Sequence, residues 1–286
     1  TTVQGQAAYR HINRVFVLHQ AVRQAEDAPF RNLLLRLRNG NSSYEDYAML
    51  TDRFSGVIDE NVPPFQHATR LFPTTAAVHD YNALRLLSLQ APVASFESVH
   101  NCLRAQRADA NQAYGLHRYL SLSEGARVML RQNLWVQKGL VNGSIGTVHR
   151  IIYSDNPPPA LPSVVVCVFP GYTGPPFIQG VPNSVPITCV QRTWQQNDTV
   201  LSRTGIPLVL SWAMTIHKCQ GLTMPNAVID IGPREQTTGL SFVAMSRVRS
   251  INNLVLAPFD FDRISRLSEA EGMRQRKDEE QRLAQL

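Results

Sequence analysis

The sequence has few cysteines and no long apolar run. Its four cysteines, Cys102, Cys167, Cys189 and Cys219, are far apart and form no C-x-x-C pair. This spacing argues against a disulfide framework or a zinc site and favours a reducing intracellular compartment. The eight histidines show no metal-ligand spacing either, so no metal site is predicted. Without a run of about 18 apolar residues, no membrane span is predicted.

A Walker A loop is also absent. The lysines are Lys138, Lys218 and Lys277, and none lies in a G-x-x-x-x-G-K-[ST] string, which cradles nucleotide phosphates. The stretch 56–60 ends in Asp-Glu, as a Walker B strand does, but only two apolar residues precede the pair and prolines follow. A loop is predicted there. The chain alone is therefore expected to lack ATPase activity, and its start at Thr1 predicts a fragment of a longer protein.

What is present is an excess of basic charge, carried mostly by arginine. The net charge is +6 and the pI is about 9.4, values that fit a polyanionic partner. Apolar residues make up 43% and charged residues 17% of the 286 residues, a composition typical of a folded globular protein. The length allows one large or two ordinary domains.

The first part of the chain has a mixed α/β pattern. A strand is predicted at 15–18, and helices are predicted at 28–38 and 43–52. Apolar residues in the first of these helices recur at i, i+3, i+4 and i+7 and predict one buried face. A strand at 69–72 then leads into a helix from 76 to about 89, which Thr74 or Thr75 can cap. Residues 91–118 are interpreted as a connecting loop.

The remaining chain has a β-rich part and a charged end. From Glu124, short β runs alternate with glycine and proline turns, which predicts a small barrel. Strands are predicted at 226–231 and 254–256. The tail mixes charges of both signs and predicts a solvated helix.

The most informative stretch is Pro207–Thr223, PLVLSWAMTIHKCQGLT. A short apolar strand at 208–210 precedes a cluster of polar residues, and the carboxyl ends of strands are where α/β sheets commonly bind ligands. The residues alone leave open a turn with incidental polar side chains. The string T-I-H-K-x-Q-G-x-T resembles motif V of superfamily 1 DNA helicases of the Pif1/RecD branch.

Three further strings extend this resemblance. L-x-x-x-x-R-Q followed by D-x-x-F-x-x-L-L-x-x-L-R-x-G, over 18–40, is similar to the region of motif IV. Residues 242–250, FVAMSRVRS, resemble motif VI, with Phe242 and Met245 in place of tyrosine and leucine. The string VML-x-x-NLWVQKGLVNGSIGTV, over 128–148, resembles the barrel inserted in the family's second motor domain.

The resemblance implies an α/β fold, a RecA-like parallel-sheet domain with an inserted small β-barrel. The motor domain would comprise residues 1–120 and 200–262, the barrel 121–199, and a helical tail 263–286. The implied function is that of the C-terminal motor portion of an ATP-dependent 5′-to-3′ DNA helicase. The resemblance also implies a nuclear location and a role in DNA repair, recombination or telomere maintenance.

The resemblance further implies roles for particular residues. ATP and Mg²⁺ would bind together with an N-terminal RecA-like domain that carries the Walker residues, and single-stranded DNA would be the other partner. Arg23 and Arg247 would be catalytic and reach the γ-phosphate, Arg247 as an arginine finger. The nucleotide would also be faced by Gln220 and Gly221, and the DNA track would be lined by Thr74, Asn82, Thr215, His217 and Lys218.

Simpler alternatives stay open for several of these residues. Arg23 can pair with Glu26 or Asp27 nearby, and Arg247 can form an internal salt bridge. Thr74 can be a plain helix cap, and Asn82 can face solvent. Two alternatives also stay open for the whole chain: a non-catalytic nucleic-acid-binding remnant of a helicase or transposon gene, and a protein-docking module.

Overall fold

A computed structural model describes residues 2–16, 22–154 and 157–285. The helices are α1 Thr2–Arg10, α2 Ala28–Asn39, α3 Tyr44–Thr51, α4 Thr75–Leu87, α5 Leu103–Arg107, α6 Leu240–Met245, α7 Asp262–Ser265 and α8 Glu271–Leu283. The strands are β1 Thr69–Phe72, β2 Ala94–Glu97, β3 Val99–His100, β4 Tyr119–Leu122, β5 Arg127–Leu130, β6 Ile145–Ile152, β7 Val164–Val168, β8 Ser184–Ile187, β9 Val190–Gln196, β10 Thr199–Gly205, β11 Leu208–Leu210, β12 Ala213–Thr215, β13 Ala227–Ile229 and β14 Leu254–Leu256.

The chain divides into two compact units. The first combines residues 1–78 and 214–286, and the second comprises residues 79–213. The first unit is discontinuous in sequence, like the predicted motor domain, although the domain boundaries given above stay a prediction. No helix in the described ranges has the length and apolarity needed to cross a bilayer.

A four-stranded sheet in the order β12-β1-β13-β14 forms the centre of the first unit. β13 pairs in parallel with both β1 and β14, so the predicted α/β fold with a parallel sheet is confirmed. All three residues of β13 and all three of β14 are buried, as expected for parallel strands covered on both faces. The predicted strand at 15–18 lies partly outside the described residues, which do not include Val17 and Leu18. Its other two residues, Val15 and Phe16, lie in coil.

Helices α2 and α3 form where the sequence predicts them. The predicted apolar face of α2 is buried, and Gly40 ends the helix in the left-handed conformation, with φ +71°. Ser43 and Asp46 form a reciprocal capping box at the start of α3. Asp46 also accepts two hydrogen bonds from Arg36, which joins α2 to α3. Burial opposes the charge on Asp46, but the Arg36 and Ser43 hydrogen bonds outweigh it and lower the pKa of Asp46.

We expect Asp46→Asn to lower the free energy of unfolding by about 1–2 kcal/mol at neutral pH, because it replaces charge-assisted hydrogen bonds with neutral ones. The folded-state pKa of Asp46 lies below its ordinary value of 3.8, so the stabilisation by Asp46 is complete above that value and is lost as pH falls through the folded pKa. Urea unfolding at pH 7 and at about pH 3 tests this, since the difference between wild type and variant should shrink in acid. An equal change on Asp278→Asn, an exposed control, would contradict the assignment.

The second unit is built from antiparallel strands. Five of them form a sheet in the order β11-β5-β6-β7-β8, over a core that includes Val128, Leu130, Val148, Cys167 and Ile187. No pairing between β8 and β11 is recorded in the described part of the chain, so the predicted barrel is not confirmed and the strands form a sheet. A three-stranded sheet, β3-β10-β9, and the pair β2-β4 complete the unit.

Another local prediction is wrong, because residues 91–118 contain β2, β3 and α5 and are therefore not a plain connecting loop. The strand predicted at 208–210 is confirmed as β11. It pairs with β5 in the antiparallel sheet, and a separate strand, β12, directly precedes the motif V residues. An apolar run of three or four residues predicts a strand without specifying its partner. The charged tail is helical as predicted, although Met273 of α8 is buried.

Candidate functional site

A cleft of about 1260 Å³ lies in the first unit. Its walls come mainly from the segment 22–29 and from the segment 242–253 that begins within α6. Gln24 joins them, because its side-chain amide donates to the carbonyl oxygens of Ser246 at 3.2 Å and Val248 at 2.6 Å. Gln24 is 7% exposed, so these hydrogen bonds are shielded from water.

Asp27 provides a second connection between the same walls. Its carboxylate accepts hydrogen bonds from the Ser250 hydroxyl at 2.7 Å and from the Ile251 amide at 3.0 Å. It also caps α2 by accepting from the Phe30 amide. Burial opposes ionisation of Asp27, but these three hydrogen bonds outweigh burial and lower its pKa. The residue is therefore an anion that fixes the cleft wall.

Arg23 extends from the first wall into the cleft. Its Nε donates to Thr223 Oγ1 at 3.0 Å, and its Nη1 donates to the Ser246 carbonyl at 2.8 Å. The guanidinium is thereby oriented by one hydroxyl and one carbonyl. The alternative of an ion pair with Glu26 or Asp27 finds no support, because no such pair within 4.0 Å is recorded among the described residues.

Arg247 is buried beside Arg23, and 7% of its surface is exposed. Arg247 lies after α6, which ends at Met245. After that end, Arg247 Nε donates to the Val243 carbonyl at 2.6 Å and Nη2 donates to Ser246 Oγ at 2.7 Å. Its Nη1 lies 3.4 Å from the Leu222 carbonyl oxygen. No carboxylate within salt-bridge distance is recorded for Arg247 in the described ranges, so the internal salt bridge is not observed.

The two arginines are close enough to repel each other. Burial, and then the charge of Arg23, lowers the pKa of Arg247. Among the described residues, the hydrogen bonds recorded for the two guanidiniums go to neutral acceptors, and a buried positive charge is costly without an anionic partner. A phosphate group has the charge and the oxygen geometry to fill this role. The structure thus brings Arg23 and Arg247 together in one cleft.

Three of the predicted DNA-contacting residues lie at or after the end of β12. Thr215 ends the strand and is 6% exposed, whereas His217 and Lys218 are exposed in the 3-10 turn 216–219 that follows. Cys219 closes the turn, and burial raises the pKa of its thiol to about 11. DNA contact by Thr215, His217 and Lys218 stays a prediction.

Gln220 and Gly221 continue from that turn. Both are exposed, and Gly221 has φ +87°, a conformation that favours glycine. Neither residue is among those that line the cleft with Arg23 and Arg247. Their contact with a nucleotide stays a prediction.

Thr74 and Asn82 have local structural partners. Thr74 caps α4, since its Oγ1 accepts from the Ala77 amide at 3.3 Å. Asn82, in the second unit, is 6% exposed, so the solvent-facing alternative is wrong. Its side-chain amide donates to the Ala213 carbonyl at 3.1 Å and its oxygen accepts from the Ala213 amide at 2.9 Å. Asn82 thus pairs with the backbone of Ala213, the first residue of β12, and DNA contact by Thr74 or Asn82 stays a prediction.

Three residues important for the cleft were not predicted from the sequence as site residues: Gln24, Thr223 and Ser246. Gln24 was visible only as the second letter of the R-Q string, and Thr223 only as the last letter of motif V. Nothing in a single sequence marks Ser246 as the acceptor for Arg23. Within the described residues, no group of three or more His, Cys, Asp or Glu side chains is placed to hold a metal ion.

Comparison with known proteins gives consistent results. The profile of the DNA helicase Pif1 2B domain matches residues 111–151. The chain is 33% identical over 243 residues to the ATP-dependent DNA helicase PIF1 of Danio rerio, and this alignment covers 84% of the chain and 34% of that protein. It is 35% identical over 241 residues to the ATP-dependent DNA helicase PIF1 of Homo sapiens, and this alignment covers 83% of the chain and 34% of that protein. The chain therefore spans about a third of the length of these relatives.

Solved structures show the same fold. The Pif1 helicase of Candida albicans matches with a TM-score of 0.71 and 23% identity, over 94% of this chain and 61% of that one. The Pif1 helicase from Bacteroides in complex with ADP-AlF3 and single-stranded DNA matches with a TM-score of 0.62 and 22% identity, over 90% of this chain and 57% of that one.

Proposed function

Because the chain corresponds to the C-terminal portion of a Pif1-type superfamily 1 DNA helicase, we propose that it is the second motor portion of an ATP-dependent 5′-to-3′ enzyme. In this proposal it supplies Arg23 and Arg247 to the nucleotide and a basic surface to single-stranded DNA. An N-terminal RecA-like domain supplies the Walker residues and Mg²⁺ that the chain lacks. The assembled protein works inside the cell, in the nucleus.

The observation that carries the proposal is the pair of arginines in one cleft. Arg23 and Arg247 are distant in sequence, are held by neutral acceptors, and have no carboxylate partner recorded in the described ranges. Phosphoryl transfer is accelerated mainly by positioning and by neutralising charge on the transferred phosphate. Two preoriented guanidiniums are suited to that task.

The proposed mechanism follows from charge. While ATP occupies the cleft between the two motor domains, its γ-phosphate attracts Arg23 and Arg247 and favours closure. Hydrolysis and phosphate release remove that attraction, so the cleft reopens and shifts one DNA-binding surface relative to the other. Gln220 and Gly221 face the nucleotide in this proposal, and Thr74, Asn82 and Thr215 lie along the DNA track with His217 and Lys218.

The DNA part of the proposal is tested by salt dependence. Lys218→Ala should weaken binding of single-stranded DNA and reduce the slope of log K against log salt by about 0.7, the value for one phosphate contact. Fluorescence anisotropy with a labelled oligothymidine over a range of salt concentrations measures the slope. A docking module that does not bind nucleic acid would give no salt-dependent binding at all.

Lys277→Ala is the matched control. It removes the same charge from an exposed position on α8. We expect its slope to equal that of the wild type, because only a direct contact releases a counterion from the DNA. If Lys218→Ala and Lys277→Ala change the slope equally, binding reflects net charge and the proposed track is wrong.

A further inference from the structure

The second unit exposes an aromatic side chain at a short turn. Val136–Lys138 form a single 3-10 turn, and Gly139 ends it in the left-handed conformation with φ +83°. Next to it Trp135 is 42% exposed, and Val136 is 57% exposed. A large aromatic surface of this kind is costly to leave in water and is typical of a binding site.

The turn is held firmly in place. Trp135 and Leu140 form an antiparallel bridge, and the Leu140 side chain is buried in the core of this unit. The Lys138 carbonyl accepts from the Thr173 amide at 3.0 Å, so the neighbouring loop supports the turn. Behind Trp135, the buried Tyr172 ring lies with its centroid 6.4 Å away. The indole is therefore presented by a fixed backbone and supported by a second ring.

The glycine after the turn explains how closely the two loops approach. A side chain at Gly139 would place its Cβ only 2.2 Å from the Gly171 carbonyl oxygen. Only glycine fits this contact together with its positive φ. The close approach of the two loops therefore requires glycine at position 139.

The sequence on both sides of this turn carries almost only positive charge. Between residues 125 and 197 the sequence contains Arg127, Arg131, Lys138, Arg150 and Arg192, but Asp155 is the single acidic residue. In the described part of the chain no carboxylate within 4.0 Å of Lys138 is recorded. A basic segment with an exposed aromatic ring has the chemistry of a single-strand binding surface, where bases stack and phosphates pair with cations.

We propose that Trp135 is a base-stacking residue for single-stranded nucleic acid, with Lys138 contacting the adjacent phosphate. The occupant is a nucleobase and not an apolar protein segment, because the surrounding segment carries cations and almost no acidic residues. This site extends the proposed single-strand binding to the second unit. It names a contact that phosphate binding at His217 and Lys218 does not supply.

The test compares two probes of equal charge with the whole chain. One is an oligothymidine of about 12 nucleotides, within the usual site size, and the other is an abasic strand of the same length. The wild type should bind oligothymidine more tightly. Trp135→Ala should weaken oligothymidine binding about tenfold and leave abasic binding unchanged, whereas Trp135→Phe should retain most of the preference because it keeps a ring.

Several results would overturn the proposal. The first is equal affinity of the wild type for both probes. The second is an unchanged affinity for oligothymidine in Trp135→Ala. The third is an equal loss of affinity for both probes in Trp135→Ala, with an unchanged melting temperature. If Trp135→Ala does not fold, tryptophan fluorescence decides. Quenching by oligothymidine that disappears in Trp135→Phe supports stacking, and quenching that persists contradicts it.

The test is separable from that of the proposed function. In one pattern of results, Lys218→Ala keeps the wild-type slope of log K against log salt, and Trp135→Ala loses the preference for oligothymidine over the abasic strand. This pattern would contradict the proposed DNA contact at His217 and Lys218 and would support the Trp135 site. The reverse pattern would contradict only the Trp135 site.

Discussion

Arg247→Ala, made in a complete helicase that joins this segment to a Walker-type motor domain, should reduce ATP turnover by about 10³- to 10⁵-fold and abolish unwinding. The reason is geometric. Arg247 is buried, and its Nε and Nη2 are fixed by hydrogen bonds to Val243 and Ser246. It lies beside Arg23, and no carboxylate partner of Arg247 is recorded in the described ranges. A guanidinium held in place before the reaction stabilises developing charge without reorganisation.

Single-strand affinity separates this role from a general loss of structure. We expect Arg247→Ala to bind oligothymidine within about twofold of the wild type, because none of the proposed DNA-contacting residues lines the cleft that contains Arg247. Arg274→Ala, an exposed arginine on α8, is the matched control and should retain full turnover. Loss of DNA binding in Arg247→Ala would place the residue on the wrong surface and contradict the proposed function.

Arg23→Ala provides an internal comparison for the same assay. Arg23 also donates to Thr223 and Ser246 and faces the same cleft. If both arginines act on one phosphate, their effects should be strongly non-additive, because removal of either one leaves the transition state without its full set of donors.

The sequence predicted local elements better than their partners. The capping box at Ser43 and the buried face of α2 depend on spacings of three and four residues, and both are confirmed. The strand at Leu208–Leu210 is confirmed, but its pairing with β5 depends on a segment about 80 residues away and was not predicted. A single sequence contains the periodicity of an element but not the identity of its neighbour.

In the candidate functional site, too, residues could be predicted from the sequence, but their distant partners could not. Arg23 and Arg247 were found by resemblance to helicase motifs, and the structure places them in one cleft. The hydrogen bonds from Gln24 to Ser246 and Val248, which hold the cleft together, cross more than 200 positions. Asn82 was predicted to contact DNA or to face solvent, yet it is buried and pairs with a backbone group. Contacts between side chains and distant backbone leave no periodic signal in a sequence.

The second large effect is expected on stability. Arg263 and Glu235 form a buried ion pair in the first unit, with Arg263 Nη2 2.9 Å from Glu235 Oε2 and side-chain exposures of 5% and 10%. Glu235 also accepts hydrogen bonds from the hydroxyl of Ser241 at 2.6 Å and from its amide at 3.1 Å. The pair therefore fixes the first turn of α6, the helix that leads into Arg247. Arg263 Nε also donates to the Gly232 carbonyl, and its Nη2 also donates to the Ile231 carbonyl.

Glu235→Ala should lower the free energy of unfolding by about 3–5 kcal/mol, because it leaves the buried guanidinium of Arg263 without its counter-charge. Removing both charges should cost much less. The double variant Glu235→Leu with Arg263→Met is expected to lie within about 1 kcal/mol of the wild type or above it, since a well-packed apolar pair avoids the desolvation of two ions. Denaturant unfolding of the two single variants and the double variant measures the coupling.

Arg266→Ala is the control for this cycle, because it breaks a pair with Asp262 in which both side chains are about two-thirds exposed. An exposed pair of this kind contributes at most about 1 kcal/mol. The comparison decides whether burial or charge pairing as such determines the effect. Equal losses for Arg266→Ala and Glu235→Ala would show that the Arg263–Glu235 pair is well solvated, and α6 would then be fixed by apolar packing of Leu240 and Ala244 alone.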